Sequence, residues 1–241
     1  MFSNLCGDDK KYCNLYDGEW VKASSGAYID IFSPVDGSLV GKVPAMTRED
    51  VDRAVANAHE SLQSWAETPI HERSQVFYRA AELLETHAEE IARVLTMEIA
   101  KDEKSAVFEV RRTADFLRYT ADAGKAIAGE AISGDNFPGG SKHKISYVSR
   151  VPLGTVLAIS PFNYPINLSI SKVAPALIGG NTVLLKPATQ GAISALYLAG
   201  VMQEAGLPRG VLNTITGRGS EIGDYIVTPP GVNFINFTGS T

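Results

Sequence analysis

A neutral amide held between two prolines is the first candidate for chemistry: Asn163, in the stretch Ile159-Ser-Pro-Phe-Asn-Tyr-Pro-Ile166. Its side chain offers two N–H donors and no titratable proton, and Pro161 and Pro165 fix φ on either side of it. The β-branched run Thr155-Val-Leu-Ala-Ile159 stops just before this turn, and an apolar periodic segment over 167–178 starts just after it. A strand that hands over to a helix at such a turn is where α/β proteins place ligands and reacting groups. The local pattern leaves two readings of Asn163 open, a donor to a ligand or a cap on the following helix.

Three more apolar runs end in residues suited to phosphate. After the run at 182–185 comes Lys186-Pro-Ala-Thr189, a cation and a hydroxyl with no acid between them. That pair suits a ribose 2′-phosphate better than free ribose hydroxyls and so favours NADP. An ordinary surface lysine at a strand end is the other reading. After 211–214 comes Gly217-Arg-Gly219-Ser-Glu-Ile-Gly223, one residue too long for G-x-G-x-x-G. Its glycines and free N–H groups at a helix start favour an anion, although a plain tight turn explains them equally well. After 233–237 come Thr238, Gly239, Ser240 and Thr241. A glycine and hydroxyls leading into a helix would cradle a phosphate.

These turns need a frame to hold them. The apolar strands at 155–159, 182–185, 211–214 and 233–237 alternate with helices at about 166–178, 190–205 and 219–227. Continuous rather than alternating apolar strands imply a parallel sheet covered by helices on both faces, with right-handed crossovers. The expectation is an α/β, Rossmann-like fold.

Upstream, residues 1–15 read as a loosely held start. A hairpin over 14–20 turning at Asp17-Gly18, a strand at 28–32 and another at 39–43 make a small β layer. Thr47 and Asp50 form a capping-box variant before a helix that buries Val51, Ala54, Val55, Ala58 and Trp65. A second helix is predicted from about 69 to 100 and a third from about 104 to 127. The third carries Arg111, Arg112 and Arg118, which by pattern alone read as solvated or ion-paired. Over 129–154 turn-rich segments flank an alternating run. That predicts a protruding hairpin, and an open-edged hairpin is often completed by another subunit. The units expected are 1–128, the hairpin 129–153 and the sheet core 154–241.

Composition narrows the partners. A formal net charge of −5 and a single compact basic cluster, Lys142-His143-Lys144, argue against nucleic acid. No apolar run approaches the roughly 20 residues that span a bilayer, and the opening residues lack the features of a signal peptide. The expectation is a cytoplasmic chain with no membrane partner. Cys6 and Cys13 are not spaced as a C-x-x-C pair and read as reduced thiols, with no metal site.

Taken together and in this order, Pro161-Phe-Asn-Tyr-Pro165, Lys186-Pro-Ala, Gly219-x-x-x-Gly223 and Phe237-Thr-Gly-Ser-Thr241 resemble the aldehyde dehydrogenase superfamily. Val43-Pro-Ala-Met46, Thr189-Gln-Gly191 and the stretch from Asn213 to Val227 are similar to its NADP-dependent branch that oxidises glyceraldehyde 3-phosphate without phosphorylation. The resemblance covers nearly everything after about residue 14. It implies attack of a Cys thiolate on the aldehyde, hydride transfer to NADP, and hydrolysis of the thioester by a water that a Glu activates. Asn163 would be the oxyanion-hole amide, Tyr164 a substrate contact, and Arg112 the arginine meeting the substrate phosphate. Ser160, Lys186, Thr189, Gly219, Asp224, Gly239, Ser240 and Thr241 would contact the cofactor, and the hairpin would serve a homotetramer. The product would be 3-phosphoglycerate, a place in glycolysis.

The departure from the family pattern is large. Its nucleophilic Cys and general-base Glu fall past Thr241, and Cys6 and Cys13 do not match that context. The chain therefore reads as the N-terminal half of a longer enzyme, lacking the catalytic domain and inactive by itself. Alternatives are another semialdehyde dehydrogenase, in which Arg112 is incidental, or a non-catalytic NADP-binding or assembly protein.

Overall fold

Strands that are apolar on both sides stay in place only between two apolar layers, and that requirement organises the core. A computed structural model describes residues 2–7 and 9–239. Four strands, β7 (Thr155–Ser160), β8 (Thr182–Pro187), β9 (Leu212–Thr214) and β10 (Phe234–Phe237), pair in parallel in the order β10-β7-β8-β9. The chain moves outward from β7 through α5 (Asn167–Ile178), β8 and α6 (Ala192–Glu204) to β9. It then crosses back to lay β10 on the other side of β7. Strand order thus reverses beside β7, which puts the switch point, where such sheets bind ligands, at the carboxyl ends of β7 and β10.

The strand pleat divides the core into two layers. Val156, Ala158, Val183 and Leu185 point into one cluster, with side chains of α5, α6, α2 (Ile70–Thr86) and α4 (Glu103–Lys125). Leu157 and Leu184 point the opposite way, onto α1 (Arg48–Glu67) and the region of Ile222 and Ile226. Helices on both faces therefore match the expectation, and so does the parallel sheet. α1 begins at the predicted capping box: Thr47 Oγ1 accepts from Asp50 N–H at 3.2 Å, and Asp50 accepts from Thr47 N–H at 2.9 Å.

The β layer contains the hairpin β1 (Asn14–Tyr16) and β2 (Glu19–Val21), and the pair β3 (Tyr28–Phe32) and β4 (Leu39–Pro44). Asp17 and Gly18 at φ 47° and 72° make the tight turn expected between β1 and β2. A second hairpin, β5 (Glu130–Ser133) with β6 (Ile145–Val148), leaves every side chain of β6 exposed.

Three expectations need correction. The segment 69–100 is two helices, α2 and α3 (Ala88–Ile99), broken at His87 with φ −105° and ψ 17°. A one-residue break hardly disturbs a 3.6-residue stripe, so periodicity runs through it. Leu84, Ala88 and Ile91 are all buried on either side. The start of the chain is anchored: Leu5 and Tyr12 are buried, Tyr12 N–H donates to Lys42 O at 2.8 Å, and Cys13 N–H to Leu5 O at 3.1 Å. Its apolar residues are too sparse to show a period, and their partners lie on α6 and β4. Finally, the helix expected at 219–227 opens as a π-helical turn, Gly219–Gly223, and only Asp224–Ile226 (α7) is α-helical.

Candidate functional site

The site is built on the loop 161–166 between β7 and α5. Register sets the neighbours of this strand end: Ile159 pairs with Lys186 on one side and with Phe237 on the other. The ends of β7, β8 and β10 are therefore level, so the Asn163 turn opens beside two of the three phosphate-suited turns.

Asn163 is exposed on this loop, and among the described residues its side chain makes no hydrogen bond. Helix α5 does not use it as a cap. Its first free amides belong to a distant residue: Glu109 on α4 accepts at Oε1 from Ile166 N–H at 3.0 Å and Asn167 N–H at 3.1 Å. The helix-cap reading of Asn163 is thereby overturned, because the donors it would have capped are already satisfied by a carboxylate.

Glu109 is fully buried, and its other oxygen takes an ion pair from Lys101, whose side chain is 11% exposed. The same ammonium stands 3.4 Å from the centre of the Tyr164 ring and donates to Asn163 O at 3.4 Å. One turn along α4, Thr113 accepts from the Asn167 side-chain amide at 3.2 Å. Arg112 lies between these two contacts on the same helix; it is exposed and makes no ion pair among the described residues. Arg118 and Arg111 differ from it. Arg118 grips Glu85 through both terminal nitrogens at 2.8 and 2.7 Å, and Arg111 lies 3.9 Å from Glu89.

Lys186 is not a surface residue. It is 6% exposed, and among the described residues its ammonium has only two contacts, both long, to Pro187 O and Gly217 O at 3.5 Å. Burial without a carboxylate pushes its pKa below the ordinary lysine range. β8 lies inside the sheet between β7 and β9, which buries the lysine. The Gly217 contact brings two of the predicted phosphate features together. In the turn that follows, the space within 4 Å of where a Cβ on Gly219 or Gly223 would stand is open.

The remaining candidates are more scattered. Ser160 is buried, and its hydroxyl shares a 2.7 Å hydrogen bond with Ser169 of α5, which in turn donates to Pro165 O. That pair ties the strand end to the loop. Thr189 is half-buried just past β8, and Asp224 is exposed at the start of α7. Gly239 is exposed past β10, while Ser240 and Thr241 lie outside the described residues. Lys101 and Glu109 were not among the residues singled out from sequence. The available signal was an acid on the buried side of a helix, one turn from Ala106 and one turn from Thr113.

With that geometry in place, similarity to known proteins becomes decisive. The aldehyde dehydrogenase family model matches residues 20–241. The chain belongs to that family. It is 53% identical over 232 residues to the NADP-dependent glyceraldehyde-3-phosphate dehydrogenase of Streptococcus equinus, covering 96% of this chain and 48% of that protein. The Pisum sativum protein of the same name is 45% identical, over 97% of this chain and 47% of its own length. Among solved family members, the NADP-dependent glyceraldehyde-3-phosphate dehydrogenase of Bacillus halodurans C-125, complexed with NADP, superposes with a TM-score of 0.93. Its identity is 48%, covering 94% of this chain and 48% of that one. An NAD-dependent benzaldehyde dehydrogenase from Corynebacterium glutamicum superposes with a TM-score of 0.91 at 37% identity. The chain spans about half the length of these family members.

Proposed function

We propose that this chain provides the oxyanion donor and most of the cofactor site of an aldehyde dehydrogenase that oxidises glyceraldehyde 3-phosphate to 3-phosphoglycerate with NADP. The observation that carries the reading is the uncommitted amide of Asn163. It stands on a proline-stiffened loop at the strand-order reversal, while Glu109 takes over the capping task. When a thiolate adds to an aldehyde, the carbonyl oxygen becomes an oxyanion. An N–H donor fixed in advance stabilises that charge without reorganising, and losing one such donor costs about 100- to 1000-fold in rate. The thiolate and the general-base carboxylate are assigned to the part of the family's length that these 241 residues do not span.

The residues present fit NADP on their own chemistry. Lys186 is a buried cation with no acid to neutralise it among the described residues, and the open space at Gly219 and Gly223 leaves backbone N–H groups approachable by an anion. Lys186 and Thr189 would hold the ribose end and its 2′-phosphate. The turn 217–223 and Gly239 would lie along the rest of the dinucleotide, with Ser160 and Asp224 at its margins. NADP, when bound, accepts the hydride. Exposed and free of carboxylates, Arg112 is suited to the phosphate of the substrate, since a guanidinium grips phosphate oxygens in a fork. Tyr164 would stand beside the aldehyde. The names and identities of the relatives support both the cofactor and the substrate.

The exposed hairpin β5–β6 is assigned to assembly into a homotetramer, with Ile145, Tyr147 and Val148 as its apolar contacts. The experiment for the central reading is Asn163→Ala in a polypeptide of the family's full length. kcat should fall about 100- to 1000-fold while NADP affinity is retained. An unchanged kcat refutes the oxyanion assignment, and a strong preference for NAD or for unphosphorylated aldehydes refutes the cofactor or substrate assignment.

A further inference from the structure

The contacts around Asn163 raise the question of what holds its amide in place, because among the described residues the side chain itself has no partner. Two prolines stiffen the loop but do not set where it points. Besides the Ser160–Ser169 contact to Pro165 O, one buried ion pair touches the loop from both of its ends. Glu109 Oε1 holds the loop's exit through the Ile166 and Asn167 amides. The ammonium of Lys101, paired to the other carboxylate oxygen, holds its apex through the Asn163 carbonyl and the face of the Tyr164 ring. Lys101 itself is delivered by a tight connection: Ala100 ends α3 in the left-handed conformation at φ 56°, and Asp102 caps α4. The pair therefore ties the α3–α4 connection, α4 and the β7–α5 loop together around a single amide.

We infer that Lys101 and Glu109 are positioning residues for the Asn163 amide and the Tyr164 ring, acting through the loop rather than on substrate. The assignment rests on the oxyanion reading of Asn163. A buried carboxylate with two backbone N–H donors and an ammonium is fully satisfied, whereas removing either partner leaves the other charge buried and uncompensated. The loop then keeps its Ser169 contact at Pro165 but loses the anchor at one of its ends. Misplacing a catalytic donor by about 1 Å is enough to cost on the order of 100-fold in rate.

The test uses Lys101→Met, Glu109→Gln and the double variant in the polypeptide of full family length, each alone and combined with Asn163→Ala. The double variant leaves neither charge unpaired, so it keeps the comparison open if one single variant folds poorly. Lys101→Met should lower kcat about 10- to 100-fold with the KM for NADP unchanged. It should cost clearly less once Asn163 is alanine, because the part of its effect that acts through the amide is then gone and only the part through the Tyr164 ring remains. Hydrogen exchange at the Ile166 and Asn167 amides should quicken about tenfold or more in Glu109→Gln. If Lys101→Met lowers kcat equally with and without Asn163, or if those amides exchange at the wild-type rate, the positioning inference fails. Should Asn163→Ala itself leave kcat intact, the oxyanion reading fails instead, and the exchange rates alone decide whether the pair holds the loop.

Discussion

Replacing Lys186 with methionine should move stability and cofactor affinity in opposite directions. Lys186 is 6% exposed and, among the described residues, its ammonium has no carboxylate partner and reaches only two carbonyls at 3.5 Å, beyond the 2.7–3.2 Å of a good N–H···O bond. Folding therefore strips its water without supplying equivalent partners. Methionine has nearly the same length and needs no such partners. Burying a polar group without adequate hydrogen bonds costs about 1–3 kcal/mol by mutational measure, so Lys186→Met should stabilise the NADP-free chain by roughly that amount. The sign with pH follows from the depressed pKa. A lysine that binds its proton less well in the folded state penalises folding below its folded pKa, and the penalty is relieved as pH rises toward the unfolded value. The stability gap between Lys186→Met and wild type should accordingly be widest near neutral pH and should narrow in alkaline solution. With NADP the balance reverses: a charge-assisted contact is worth about 1.5–3 kcal/mol, which corresponds to a Kd about 10- to 150-fold weaker in the variant. Urea melts at neutral and alkaline pH, with a calorimetric NADP titration of the same two proteins, measure all of this. A variant that is less stable than wild type without NADP, or one that binds NADP unchanged, refutes the argument.

Two further outcomes concern the frame. Asp50 is buried; burial alone would raise its pKa, but N–H donors from Thr47 and Ser24 and the Arg53 guanidinium outweigh that and hold it below the usual carboxylate range. Asp50→Ala should cost about 1–2 kcal/mol at neutral pH. Because the folded pKa is depressed, that difference should be full above the ordinary carboxylate pKa and fade as pH falls through the folded one, as acid-dependent melts would show. Glu98 on α3 is fully buried and accepts from Gly191 N–H at 3.0 Å, Ile193 and Ser194 N–H at 2.8 Å each, and the Ser194 hydroxyl at 2.6 Å. Glu98→Ala should strip the N-terminus of α6 of its acceptor, at a cost of about 3 kcal/mol or more. A melting temperature within a degree of wild type would contradict the capping role.

Much of the architecture was readable because burial on both faces leaves a local mark. The continuous apolar runs at 155–159 and 182–185 announced a covered parallel sheet, and the Thr47/Asp50 pair announced the start of α1. Other features left no such mark. The break at His87 does not disturb the apolar stripe on either side of it. The start of the chain has few apolar residues, so its anchoring through Leu5 and Tyr12 shows only once β4 and α6 are placed against it.

The candidate site divides along the same line. By itself the sequence determined that an amide sits on a stiff loop between a strand and a helix, and that a lysine ends the next strand, because prolines and β-branched runs act on their immediate neighbours. Only tertiary structure decided what those residues are free to do. Asn163 is released from capping because Glu109, 57 residues before Ile166, occupies the start of α5 by accepting from the Ile166 and Asn167 amides. Lys186 is desolvated because strand order puts β8 inside the sheet rather than at its edge. Both outcomes depend on which distant residues become neighbours, and neither the hydrogen bond nor the burial leaves a periodic trace in the residues around it.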